Sequence, residues 1–255
     1  MIKIGKYIIY DILRNRFVIA YTFFLLLVTL SMFSLESDPG KSTISILNIA
    51  LLVVPLVSIV FTTIHFYNSY DFMEMLLAQP VQRKTIYFAE YFSVAIALSV
   101  AFLIGVAVPL CIFNFNESSV YLILVGLMLT FIFVALALMA SVATRDKARA
   151  TGVALLFWFY FAIIYDGIVL YVIYSFSDYP LEKATLSMVS LNPIDLARIV
   201  ILLKLDVSAM MGYTGAFYQD FFGSGGGILY SIFVMTLWAF LPLMIAMRRF
   251  CTKDI

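Results

Sequence analysis

Asp166 is the residue whose position most needs explaining. It stands inside a long apolar run near Tyr160, Tyr165 and Gly167, where a solitary carboxylate in hydrocarbon costs several kcal/mol. It must face protein, water or a partner. Three readings stay open: it lines a substrate path, it fixes a dimer interface, or tyrosines and backbone satisfy it. Glu90, one turn inside another apolar run, poses a milder case, since it can reach back toward Lys84 or pair across a dimer. His65 is the single histidine, so no histidine cluster can form around a metal, and a satisfied interfacial side chain is the simpler reading. Met210 and Met211 offer thioethers, which suit Cu(I). Neighbouring residues on a helix point in different directions, however, so packing competes with ligation, and no metal site is assigned to this chain.

Other chemistry is absent from the pattern. There is no Ser-His-Asp set, Cys-His pair, zinc-ligand spacing or pair of intramembrane aspartates, which argues against an enzyme acting alone. A membrane protease or lipid-modifying enzyme would have to work with Asp166, Tyr165 and His65. Gly40-Lys41-Ser42 ends like a phosphate loop, but Leu35 holds the first glycine position and Pro39 intrudes. Gly223-Ser224-Gly225-Gly226-Gly227 fails the dinucleotide pattern because Ile228 stands at the third glycine and no strand precedes it. Asn116-Glu117-Ser118 matches a glycosylation acceptor in a loop too short to leave the bilayer surface.

The elements that must position these residues follow from composition. The chain has 255 residues, 64% hydrophobic and 12% charged, with a mean hydropathy of +1.05. That is more apolar surface than one soluble core can bury, so lipid is the solvent. A net charge of +1 excludes a strongly basic nucleic-acid binder. Six apolar stretches, 17–33, 44–66, 86–113, 120–143, 152–176 and 228–247, are each able to cross a bilayer as helix, which closes every backbone hydrogen bond within the segment. The third is long enough to tilt or bend, with Gly105 and Pro109 as bending points. The first lacks a cleavage site and is read as retained.

With a cytoplasmic N-terminus, twelve of the sixteen Lys and Arg residues fall in inside segments and four outside, so both termini are expected inside. Cys111 and Cys251 then lie on opposite sides, too far apart to pair. The large extracytoplasmic element is 177–227. Within it Asn192, Pro193 and Asp195 read as an N-cap, a first-turn proline and a first-turn acid opening the run 194–205. That run is too short to span, so it lies on the outer interface or dips in as a re-entrant piece, with Arg198 and Lys204 reaching water.

Two cytoplasmic elements complete the plan. In 1–16, Ile4, Ile8, Ile12 and Leu13 recur at helical spacing beside Lys3, Lys6 and Arg14, as in an interfacial elbow helix. In 67–85, Tyr70, Asp71, Phe72, Met73, Glu74, Met75, Leu76 and Leu77 form a short amphipathic helix stopped by Pro80 and followed by Arg83 and Lys84. Its aromatic and Met side chains either fill a partner's groove or rest on lipid.

An elbow helix, six spans and a cytoplasmic helix between the second and third resemble the type-two ABC exporter permeases over essentially the whole chain, 1–255. The acidic residue of 70–77, the Leu-Leu-x-x-Pro stop at Leu76 to Pro80, Arg83-Lys84, Asp166, Asn192 to Arg198 and Gly212 to Ala216 resemble the permeases of NosDFY complexes, which mature the copper sites of nitrous oxide reductase. The resemblance implies an all-α integral membrane permease and homodimer of the bacterial inner membrane, embedded in lipid, with no cofactor of its own. ATP and Mg would sit on a separate NosF-like ATPase coupled through 70–77. A periplasmic, copper-handling, β-helix NosD-like protein would contact Asn192, Pro193, Asp195, Arg198, Met210 and Met211, and the output would be copper or sulfur handling. A permease of the same architecture exporting a lipid, drug or peptide is the alternative.

Overall fold

The computed structural model describes residues 2–36, 38–176, 182–204 and 225–252, and every regular element among them is helical. An amphipathic helix α1 (Ile2–Leu13) is followed by α2 (Arg16–Leu35), α3 (Pro39–Asn68), the short α4 (Tyr70–Leu77), α5 (Arg83–Phe113) and α6 (Glu117–Ala143). Then come α7 (Lys147–Ser175), the pair α8 (Glu182–Leu191) and α9 (Pro193–Lys204), and α10 (Gly225–Thr252). Among the described residues six of these, α2, α3, α5, α6, α7 and α10, are long and apolar enough to cross a bilayer.

Helix starts are written by local side chains. Asn15, Asp38, Asn116 and Asp146 each accept a backbone N–H of the first turn of α2, α3, α6 and α7, satisfying donors that the helix leaves open. These caps explain why the spans extend beyond the apolar stretches read from sequence. They also settle two motifs: Gly40-Lys41-Ser42 is the first turn of α3, and Asn116 is engaged by Ser119 N at 3.0 Å.

α6 is the central post. Two-thirds of its apolar window is buried, against about a fifth for α2, α7 and α10, and it packs on α3, α5, α7, α9 and α10. The outer helices therefore leave most of their apolar surface uncovered by the chain itself, as membrane helices can, since no water drives its burial. Small residues set the tightest approaches. A Cβ on Gly105 would lie 2.6 Å from Leu25 Cβ of α2, and one on Gly126 would lie 2.2 Å from the Phe102 ring of α5.

Polar links tie the helix ends into two levels. Tyr67 reaches Thr144 Oγ1 at 3.0 Å, Lys147 donates to Asn68 at 2.9 Å, and Arg83 donates to the Cys251 carbonyl at 3.3 Å. At the opposite end Asn114 donates to Pro39 O and Thr43 Oγ1. Cys111 belongs to this second level and Cys251 to the first, and both are free thiols.

α5 departs from regular α-helix at the residues singled out as bending points, through a π turn at Leu103–Ala107 that contains Gly105 and leads into Pro109. Gly105→Ala should destabilise the purified protein by about 1–3 kcal/mol through overpacking against α2. Gly152→Ala, with open space around it, serves as the control and should be neutral or slightly stabilising. Equal melting temperatures for the two variants in the same detergent would refute the close α2–α5 approach.

Candidate functional site

The segment after α7 folds back as a helical hairpin. The axes of Thr185–Leu191 and Pro193–Leu202 differ by 116°, so the two short helices form a re-entrant or broken element, and α9 packs among α3, α6 and α10. Asn192 makes the turn possible. Its side-chain oxygen accepts from Ile194 N at 3.0 Å, capping α9, and Pro193 fills the first helical position.

The hairpin is pinned to α7 at an irregular turn. Residues Tyr160–Ile164 form a π turn, which widens the backbone ladder and lets side chains reach its carbonyls. Asn192 Nδ2 donates to Phe161 O at 2.9 Å and to Asp195 Oδ2 at 2.9 Å, while the Tyr165 hydroxyl donates to Met188 O at 2.5 Å. One residue on, Asp166 meets Arg198: Nη1 lies 3.1 Å from Asp166 Oδ2 and 3.4 Å from Asp195 Oδ1. On the other side the Ser190 and Tyr230 hydroxyls meet at 3.1 Å, joining the hairpin to α10.

These contacts give Asp166 a partner that none of the three readings had named. Its charge is compensated by a guanidinium from the hairpin and not by tyrosines. They also correct three expectations for the motif 192–198. Asn192, Pro193 and Asp195 are buried, because their polar atoms are consumed in capping α9 and holding α7, so they offer no surface to an external protein. Arg198 turns to the two carboxylates, with about one-third of its side chain exposed. Met210 and Met211, like the 212–216 motif, lie outside the described residues.

The cluster lines a cleft of about 250 Å³ with Val169, Leu170, Val189 and Ile199. What it can do is hold. Two carboxylates, one guanidinium and one amide contain no nucleophile and base in reacting geometry. Among the described residues no group of three or more His, Cys, Asp or Glu side chains is placed to bind a metal. A larger apolar groove of about 680 Å³ lies beside it, between α6, α7, α8 and α10, and includes Phe161, Trp238 and Leu241.

At the level of Arg83 and Lys147, α4 is attached by Met73 and Leu76, which are buried, and by Phe72, whose ring lies 5.6 Å from Tyr7 of α1. Met73 and Leu76 thus rest on protein instead of on lipid or in a partner's groove. The face left exposed carries Asp71, Glu74 and Met75, with Tyr70 and Leu77 half-buried at its flanks. Glu90 is also relocated. It is 2% exposed and its Oε1 lies 3.3 Å from His65 Nε2, so it is directed into the helix bundle and not outward to Lys84.

The pairing of Asp166 with Arg198 was detectable in principle, since an acid inside a span and a lone cation on an apolar run each need a partner. A double-mutant cycle on Asp166→Asn and Arg198→Gln should give a coupling energy of about 1 kcal/mol in thermal unfolding, modest because the pair is partly exposed. Strict additivity would show that the contact holds nothing.

A model of the family described as ABC-2 family transporter protein matches residues 7–255. A search of curated proteins finds no match to the chain. The matched range takes in all six candidate spans, α4 and the hairpin, so this chain belongs to the ABC-2 transporter family and is a membrane permease subunit of an ABC transporter, a family that implies an ABC ATPase as partner.

Proposed function

We propose that the permease converts the closure of a separate, NosF-like ATPase into a movement of the α8–α9 hairpin, and that this serves copper or sulfur handling in nitrous oxide reductase maturation. The observation that carries the mechanical part is the pinning of the hairpin to the π turn of α7 through Asn192, Tyr165 and Arg198. A hairpin held by several polar links moves with the helix that holds it, so a rocking of the spans reaches the outer face as one displacement. The maturation assignment rests on the resemblance of the 70–84, Asp166 and 192–198 motifs to NosY, the permease of NosDFY.

In this reading the chain is a homodimer in the bacterial inner membrane with both termini cytoplasmic. The ATPase binds ATP and Mg and docks on the acidic face of α4, where Asp71 and Glu74 suit a basic groove. A NosD-like β-helix protein engages the outer side through surfaces other than the buried Asn192, Pro193 and Asp195. His65 lies beside Glu90, and Asp166 pairs with Arg198, so the residues an intramembrane enzyme would need belong to separate clusters.

The apolar groove between α6, α7, α8 and α10 favours a second reading, export of a lipid, drug or other amphiphile. Its lining is almost wholly hydrophobic, with Ser187, Ser190 and Tyr230 among the few polar contributors.

The deciding experiment is affinity purification of the chain co-expressed with the proteins encoded beside it. Retention of an ATPase and a copper-binding β-helix protein is expected. An ATPase alone would leave the exporter, and no ATPase would remove the coupling scheme. In the same assay Asp71→Lys with Glu74→Lys should cut ATPase retention at least about tenfold, the equivalent of 1.4 kcal/mol. Wild-type retention would move the docking surface away from α4.

A further inference from the structure

A push on α4 has to leave that short helix by some physical route, and the point where it joins α3 holds a contact suited to the task. His65 and Glu90 are 7% and 2% exposed. His65 Nε2 lies 3.3 Å from Glu90 Oε1 on α5 and 3.3 Å from the hydroxyl of Ser69. Ser69 occupies the N-cap position of α4, yet its side chain caps no backbone N–H of that helix. It reaches back to the imidazole instead.

This nitrogen carries at most one proton, so it can donate well to one of the two oxygens at a time. In the structure Glu90 Oε1 is buried without a hydrogen bond, despite its proximity to the ring. Each oxygen therefore has something to gain: Glu90 would acquire the donor it lacks, and a released Ser69 hydroxyl would become available to cap α4. Phe61 stacks on the imidazole at 5.7 Å and Phe17 on Phe61 at 5.6 Å, which supports the ring face. Ser93, one turn beyond Glu90, donates to Gly5 O of α1 at 3.1 Å, so α1, α3, α4 and α5 meet here.

We infer that His65 is a positioning residue that hands the displacement of α4 to α5 by exchanging its Nε2 contact between Ser69 and Glu90. This rests on the reading of α4 as the ATPase contact. Displacing α4 moves Ser69, the imidazole follows or lets go, and Glu90 carries the change into the long α5 helix, whose far end holds the exposed Cys111.

Cys111 is thus a native reporter. The complex with its ATPase is placed in lipid nanodiscs with Cys251→Ser, and the rate of Cys111 modification by N-ethylmaleimide is measured with and without ATP and vanadate. A parallel protein carries Cys111→Ser and Met75→Cys, to report on α4. Trapping should change both rates by about fivefold or more, and His65→Leu or Ser69→Ala should reduce the Cys111 change below about twofold while the Met75→Cys change persists. Glu90→Gln, which keeps an acceptor, should retain the response, whereas Glu90→Leu should lose it. Loss of a mere packing contact would not separate the two reporters in this way.

Ser69→Ala keeps the fold safest and guards against a misfolded His65 variant. A full Cys111 response in His65→Leu and Ser69→Ala would overturn the inference, as would a Cys111 rate indifferent to nucleotide in the unaltered contact. The underlying reading fails differently, by loss of the ATPase on purification or by silence of the α4 reporter.

Discussion

In hydrocarbon no water is present to rescue a backbone N–H or C=O, and the whole structure is arranged around that scarcity. Its helices are continuous wherever they can be. Near two of the interruptions a side chain from another element donates to a backbone carbonyl. Pro55 removes the donor for the Leu51 carbonyl inside α3, and the adjacent Leu52 carbonyl accepts the Trp158 indole of α7 at 3.2 Å. Pro109 follows a π turn in α5, and the π turn of α7 presents Phe161 O to Asn192. The breaks at Pro55 and at the π turn of α7 are junctions between elements.

The same scarcity governs the charges. Acids inside the spans would be costly alone; Asp166 has found a partner in Arg198 of the hairpin, and Glu90 lies beside His65 of α3 with its Oε1 not yet hydrogen-bonded. The two pairs sit at opposite ends of the proposed route, one at the joint of α4 with α3 and α5, the other where the hairpin meets α7. Between them runs α6, the most buried of the spans, so displacement at one end has a closely packed path to the other. The Arg198 pair is half-open and the His65 pair is sealed. That difference suits a hairpin that must respond to its surroundings and a joint that must not leak.

Much of this was legible in the residues. Apolar runs separated by caps and basic residues are enough to place the six spans, because helix length and polarity are local properties. Gly105 and Pro109 marked the irregular turn of α5 for the same local reason. The Asn192-Pro193 turn and the short helix behind it were visible too, since capping and proline at the first turn depend on neighbours in sequence.

What remained hidden was direction. A sequence says that Asn192, Asp195 and Arg198 share one turn of helix, and they were read as facing outward, toward a partner. In the fold they face α7, because the 116° bend after α8 lays α9 against the bundle. Phe72, Met73 and Leu76 were likewise assigned to a partner or to lipid, and the fold spends them on α1, α3 and α5, leaving Asp71, Glu74 and Met75 outside. By itself, then, the sequence determined which segments are helical, which cross the bilayer and which residues could not stay alone there. Only the tertiary structure decided with whom each of them pairs, because those partners lie tens of residues away in the chain and are brought within about 3 Å by packing that no local rule encodes.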